Sequence, residues 1–281
     1  MKKKNTFPNS ITSIGSFAFY ECIRLQNVEI SSNVKVIDRF AFAHCIHLTT
    51  VTIPKSVEII GQYAFASCWE IENITIPEGV IDIERGTFFN CKKLKTLHLP
   101  KTIHSIGDEA FSNCKQIQTL NIPEKVATIG NGALQSCTGL KFLYVKGCRI
   151  PDELLKVKYL SREVQNLITI VDKNNLNVKS NRRLKNYFLM NRLKHAHDAE
   201  IADYVKRNLT NFLTDVIYFN DSEIIAMAIA KNWISKRRLT KLLEIAVSLE
   251  RIEIYIMLMD YKNQIGGYRS IEEEIQRKFS L

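Results

Sequence analysis

Leu48-Thr49-Thr50-Val51-Thr52-Ile53-Pro54, followed by Val57, Ile60-Gly61, Ala64-Phe65 and Cys68, is one turn of a pattern that returns every 23 residues. The cysteines show it first: Cys22, Cys45, Cys68, Cys91, Cys114 and Cys137 are evenly spaced, and only Cys148 is out of step. Ile14, Ile37, Ile60, Ile83, Ile106 and Ile129 keep the same register. So do Phe19, Phe42, Phe65, Phe88 and Phe111, with Leu134 in the sixth place. A fixed period in this range marks a solenoid, whose units bury their apolar sides only by stacking.

Within a unit, Leu48, Val51 and Ile53 alternate with Thr50 and Thr52, which predicts a short half-buried strand with the threonines outward. Pro54, Pro77, Pro100 and Pro123 close that strand, because proline cannot donate to a continuing ladder. Gly61, Gly107 and Gly130 are expected to permit a sharp turn. Ala-Phe-x-x-Cys then fits one short helical turn with Phe and Cys facing inward. Equivalent sulfurs stacked at strand spacing form a straight row, which is not a tetrahedral metal cage, so the six cysteines read as packing residues. Cys148, just past the last unit, is the one candidate for a reactive thiol.

The pattern Leu-x-x-Val-x-Ile-Pro, Ile-Gly, Ala-Phe-x-x-Cys resembles the BspA-type leucine-rich repeat over about residues 8–146. The resemblance implies a curved solenoid with a parallel sheet on one face and a role in binding, often adhesion at a cell surface, with no catalytic residue. Ser31 in the proline position and Leu134 in the phenylalanine position mark atypical terminal units.

The whole chain has 281 residues, 46% hydrophobic and 24% charged, with a formal charge of +10. That composition excludes wholesale disorder and collagen-like architectures. No apolar run of signal-peptide length comes after Lys2-Lys3-Lys4, and no stretch reaches the length of a membrane span. A cytoplasmic protein is expected, in which the Asn73-Ile-Thr75 and Asn208-Leu-Thr210 sequons are idle. The positive charge concentrates between Lys156 and Lys194, where ten basic side chains face two acidic ones.

Once the inward positions are assigned, two surfaces remain for a partner. The strand face presents Thr50, Thr52, Asn73, Thr75, Thr96 and His98, small and polar, able to hydrogen-bond an extended segment or simply solvated. At its end Phe142 and Tyr144 are aromatic and are expected to be covered by the chain beyond residue 145. The second surface lies two residues before the repeating Phe, where Phe17, Phe40 and Tyr63 give way to Gly86, Glu109 and Gly132. The position after each Cys changes in step, from Ile23, Ile46 and Trp69 to Lys92, Lys115 and Thr138. Two readings fit: an exposed apolar ladder marking a self-association or partner interface, or side chains folded down to thicken the core.

After Val145 the register stops. Three segments are expected: a solenoid over 1–148, a connecting and capping segment over 149–178, and a helical domain over 179–281. Beyond the loop-like Asp172-Lys173-Asn174-Asn175 the apolar period becomes 3.6, as in Leu239, Leu242, Leu243, Ala246 and Val247. Ser222 and Ser235 read as N-caps of short helices. The run Leu242 to Ile254 resembles the paired helices of an ankyrin-type repeat, which implies stacked antiparallel pairs. Lys179, Arg182, Arg183, Lys185, Arg192 and Lys194 are interleaved with Tyr187 and Phe188, a composition for nucleic-acid phosphates or a solvated helix face. Lys236, Arg237 and Arg238 come just after the Ser235 cap, where cations oppose the helix dipole, and are expected to bind an acidic segment or phosphate.

No phosphate loop, dinucleotide fingerprint or nucleophile elbow occurs. His44-Cys45-x-His47 and His195-Ala196-His197 lack the geometry or the spaced partner pair of a metal site, and no cofactor is expected. The expected fold class is α+β by segregated domains, a six-unit leucine-rich solenoid followed by helix pairs. The expected role is a non-enzymatic protein-interaction scaffold, with nucleic-acid or phosphate binding and surface adhesion as alternatives.

Overall fold

The computed structural model describes residues 5–151, 155–156, 159–172, 176, 179–195 and 199–266. The chain divides into two compact units, Met1–Asn181 and Arg182–Leu281.

In the first unit each repeat contributes two short strands. One series is β1 (Asn5–Thr6), β3 (Asn27–Glu29), β5 (Thr50–Thr52), β7 (Asn73–Thr75), β9 (Thr96–His98), β11 (Thr119–Ile122) and β13 (Phe142–Val145). The other is β2 (Ser13–Ile14), β4 (Val36–Ile37), β6 (Ile59–Ile60), β8 (Asp82–Ile83), β10 (Ser105–Ile106) and β12 (Thr128–Ile129). Pairing is parallel and displaced by one period, as in Val28 with Val51 and Ile106 with Ile129. Both ladders are interrupted at one place, between β5 and β7 and between β6 and β8. The first strand, β1, pairs with β3 at Asn5–Val28, so a strand exists one register earlier than the six-unit reading expects. Its signal is Pro8, one period before Ser31, whose carbonyl accepts from Ile11 N–H as those of Pro54 and Pro77 accept from Val57 and Val80.

The segment around the repeating Phe is not helical. It is a run of tight turns with two left-handed residues per unit, such as Phe40 at φ 55° and His44 at φ 60°. The reason lies in the neighbouring unit: N–H groups of Phe40, Phe42 and His44 donate to the carbonyls of Gln62, Ala64 and Ala66 at 2.9, 2.8 and 2.8 Å. A helix would have used those donors internally. The glycines also act differently from expectation. Gly61 and Gly107 do not have positive φ; a Cβ there would lie 2.6 and 2.7 Å from the backbone nitrogens of Arg39 and Arg85, so they allow successive units to approach.

Phe42, Phe65, Phe88 and Phe111 are fully buried and stack with centroids 5.3–6.0 Å apart. Beside them the thiols of Cys45, Cys68, Cys91, Cys114 and Cys137 each donate to the carbonyl of the preceding unit's Phe, at 3.0–3.2 Å. All seven cysteines are free.

The far end of the solenoid is finished by two devices. β14 (Cys148–Ile150) folds back antiparallel on β13 through a hairpin at Lys146-Gly147, both with positive φ. Helix α1 (Leu160–Asp172) packs on β12 and β13. Along the solenoid, except at the interruption between β6 and β8, a carbonyl of one unit accepts from the next: Thr12 from Lys35, His104 from Ala127. At the end Ala127 accepts from Gln165 Nε2 at 3.2 Å, while Ile129 N–H donates to Gln165 Oε1. One side-chain amide thus stands in for the peptide group of a missing strand. Phe142 is not covered by this cap: it remains 37% exposed with the Arg149 guanidinium 4.9 Å over its ring. The cap closes the edge of the sheet, and Phe142 lies on its outer face.

The second unit stacks α2 (Arg182–His195), α3 (Ala199–Arg207), α4 (Leu209–Tyr218), α5 (Ser222–Ala230), α6 (Lys236–Ser248) and α7 (Ile252–Gly266). Helices α2, α4 and α6 pack in sequence, and α4/α5 and α6/α7 form hairpins. Left-handed Asn220, Asn232 and Glu250 end α4, α5 and α6. In each case the next residue's N–H reaches back to close the last turn: Asp221 to Val216, Trp233 to Ala228, Arg251 to Ala246. Asp221, not Ser222, caps α5, accepting from Ile224 N–H at 3.2 Å, and Ser235 holds the cap position of α6 without a side-chain hydrogen bond.

Candidate functional site

Phe17, Phe40 and Tyr63 form a ladder on the surface of the solenoid. Their rings stack with centroids 5.0 Å apart and planes within 7° and 11° of parallel. Phe17 is 46% exposed and the other two are half-buried. Tyr20 and His44 lie edge-on beside them. The ladder stops where Tyr63 lies over Gly86: any Cβ there would collide with the ring, and the Tyr63 hydroxyl donates to Glu109 at 3.2 Å. The second row, Ile23, Ile46 and Trp69, ends in the same unit, with the Lys92 ammonium 3.7 Å over the Trp69 ring. Ile23 is 51% exposed, while Ile46 and Trp69 are half-buried. A groove of about 680 Å³ opens beside Ile23, lined by Phe7, Phe19, Cys22 and Leu25.

All three aromatic residues of the ladder have left-handed backbones, φ 55–60°. The same position in the other units holds Gly86, Glu109 and Gly132, at φ 60°, 55° and 65°. A bulky side chain in this region costs about 1–2 kcal/mol where glycine costs nothing. The backbone alone therefore favours glycine at the three positions where aromatic rings stand.

The strand face is as small and polar as expected. Thr50, Thr52, Asn73, Thr75 and His98 are exposed and Thr96 is half-buried, and Thr50 donates to Asn27 at 2.6 Å. Nothing in its geometry singles out a ligand.

Several of the basic residues make contacts within the helical unit. Asp215 on α4 is fully buried and accepts from Arg182 Nε and Nη2 at 3.0 and 2.9 Å and from Asn186 at 2.7 Å. Arg183 stacks 4.0 Å over Tyr218, and Lys185 is buried 4.4 Å over Tyr204. Lys194 pairs with Asp221 and Glu223 at 2.8 and 2.9 Å. Arg192 is half-buried, and Arg238 donates to Thr210 at 3.3 Å. Lys179, Lys236 and Arg237 are exposed, and Lys179 belongs to the first unit. Asp215, the acceptor that organises this cluster, has no sequence signal beyond being an acid on an apolar helix face.

Burial pushes the Cys148 thiol up to about 12, which removes it as a nucleophile at neutral pH. Among the described residues no group of His, Cys, Asp and Glu could hold a metal, and no helix is long and apolar enough to cross a membrane. Lys2 to Lys4 and the side chains of the His195–His197 stretch lie outside the described residues.

A family model for the BspA type leucine-rich repeat region matches residues 2–85 and 58–151, with six copies. Among solved structures, a leucine-rich repeat protein from Bacteroides ovatus is 29% identical over 51% of this chain and 37% of its own, with a TM-score of 0.49. The T. pallidum leucine-rich repeat protein is 26% identical over 50% of this chain and 68% of its own, also at 0.49. A leucine-rich cell surface protein from Faecalibacterium prausnitzii is 32% identical over 51% and 38%, at 0.45. The chain thus spans less than half the length of the first and third of these. No curated protein matches it.

Proposed function

The chain belongs to the BspA-type leucine-rich repeat family, and from that premise we propose that it is a non-enzymatic protein-interaction scaffold that engages its partner through the stacked ladder of Phe17, Phe40 and Tyr63. The supporting observation is the strained backbone beneath the rings. Gly86 and Gly132 build this turn with glycine in two of the other three units, and the third carries Glu109 rather than an aromatic ring. Aromatic residues kept in left-handed conformations, half-exposed and stacked, are strain retained at a surface, which is where strain accompanies function. Phe and Tyr are also the side chains enriched at interface centres. The reading places the protein in a reducing compartment, the cytoplasm, consistent with five thiols that act as protonated hydrogen-bond donors.

The test exploits the glycine precedent. The double variant Phe40→Gly/Tyr63→Gly places at two positions the residue that other units already carry, so it folds with a thermal midpoint close to that of the parent. Proteins captured by the parent chain, and any self-association seen by light scattering, are then lost with this variant. They are kept with Thr96→Ala/His98→Ala on the strand face. Capture and mass unchanged in the glycine variant would show that the ladder is not the interface.

A further inference from the structure

The end of the solenoid opposite the ladder carries donors with no acceptor among the described residues. In each unit three N–H groups of the turn segment point to the next unit. In the fifth they belong to Glu109, Phe111 and Asn113, which donate to Asn131, Ala133 and Gln135 at 2.9, 3.0 and 2.8 Å. One register later the same donors are those of Gly132, Leu134 and Ser136, and no seventh turn segment succeeds them. Leu134 N–H is taken by the Ser161 hydroxyl at 2.8 Å. The N–H groups of Gly132 and Ser136 meet no acceptor among the described residues.

Both residues line a cavity of about 940 Å³ between the last unit and the approach to α1. Lys141, Lys156 and Arg162 line it too, and none of these three side chains has an ion-pair partner among the described residues. None of the described lining residues carries a carboxylate. The rest of the wall is mixed: Leu134, Leu140, Leu155 and Tyr159 give it an apolar part, and Asn131, Gln135, Thr138 and Ser161 add neutral polar groups. Two backbone donors, left-handed at φ 65° and 58°, three cations with no ion-pair partner among the described residues and a partly apolar wall are complementary to one kind of molecule. We propose that this cavity binds a small amphipathic oxyanion, a carboxylate or phosphate monoester on an apolar body, with its oxygens on the N–H groups of Gly132 and Ser136. The volume falls in the range of small-molecule sites, which are mostly apolar with a few convergent polar groups. The site is independent of the ladder and its partner.

The amide resonances of the full chain report binding directly. Titration with dodecanoate and with dodecyl phosphate is expected to move the Gly132 and Ser136 amide protons downfield, and the stronger of the two identifies the head group. Dodecanol, with the same apolar body and no charge, and inorganic phosphate alone are expected to bind at least about tenfold more weakly, since each lacks half of the complementarity. The variant Lys141→Ser/Arg162→Ser, both exposed or rim positions whose loss leaves the thermal midpoint in place, is expected to weaken dodecanoate binding by a similar factor. Lys55→Ser, on a distant unit, leaves it unchanged. Equal binding of dodecanol and dodecanoate, resonances of Gly132 and Ser136 that stay still at saturation, or undiminished affinity in the double variant each overturn the proposal.

Discussion

In the solenoid, buried hydrogen bonds between units are made by neutral groups. Backbone amides of one turn meet carbonyls of the next, thiols meet carbonyls of the turn before, and equivalent groups repeat both contacts along the stack. In the helical unit the central buried contact is ionic: a single carboxylate, Asp215, gathers Arg182 and Asn186 from another helix. The first arrangement spreads stability over many nearly equal rungs, as expected for a quasi-one-dimensional stack. The second concentrates it at one residue, because removing Asp215 leaves the buried Asn186 without its acceptor and the Arg182 guanidinium without its counter-charge.

The largest expected effect separates the two units. Asp215→Ala removes the acceptor of the α2/α4 junction and costs about 3 kcal/mol, the low end for a buried pair because Arg182 is itself half-exposed. Differential scanning calorimetry should show one transition shifted down and the solenoid transition in place. A single transition moving as a whole would contradict a locally concentrated junction. A smaller effect tests the end of the stack. Gln165→Ala leaves Ile129 N–H and Ala127 carbonyl without their partner, at about 1–3 kcal/mol. Hydrogen exchange should accelerate at Ile129 first and fade toward earlier units; a uniform change along the solenoid would show that the rungs are not independent.

The smallest effect, nil at neutral pH, concerns the thiols. Burial raises Cys45 and Cys148 from the ordinary value near 9 to about 12, and pushes Cys68, Cys114 and Cys137 up as well. A group that holds its proton more tightly when folded contributes stability that is complete below pH 9 and is lost as pH rises from there toward 12, at about 1.4 kcal/mol per pH unit for each thiol. The solenoid's denaturation midpoint should therefore be flat from pH 7 to 8.5 and fall beyond pH 9. Replacing Cys68 with Ala should reduce that alkaline slope, and an unchanged slope would show that the thiol row does not titrate with unfolding.

Legibility followed the same division. The strands at Val51 and Ile74, the inward Phe65 and Cys68, and the point where the ladders change character all stand in the 23-residue register. The additional strand β1 was legible too, through Pro8. The helical turn expected of Ala-Phe-x-x-Cys was not found, because its donors face the next unit, and local pattern cannot report a partner 22 residues away. Among the cations, residue type identified Arg182, Arg183 and Lys185 but not that Asp215, Tyr218 and Tyr204 occupy them.

The sequence alone determined the parallel stack, its units, its core residues and the position of both surface ladders. In a solenoid every residue touches its own equivalent one period away, so the repeat is already a contact map. Only the tertiary structure decided how the stack ends, with Gln165 and Ser161 standing in for a missing strand and turn. It alone likewise showed where the charges go and which donors are left facing a cavity. Those contacts join residues at separations that never recur, and an interaction made once leaves no period to read.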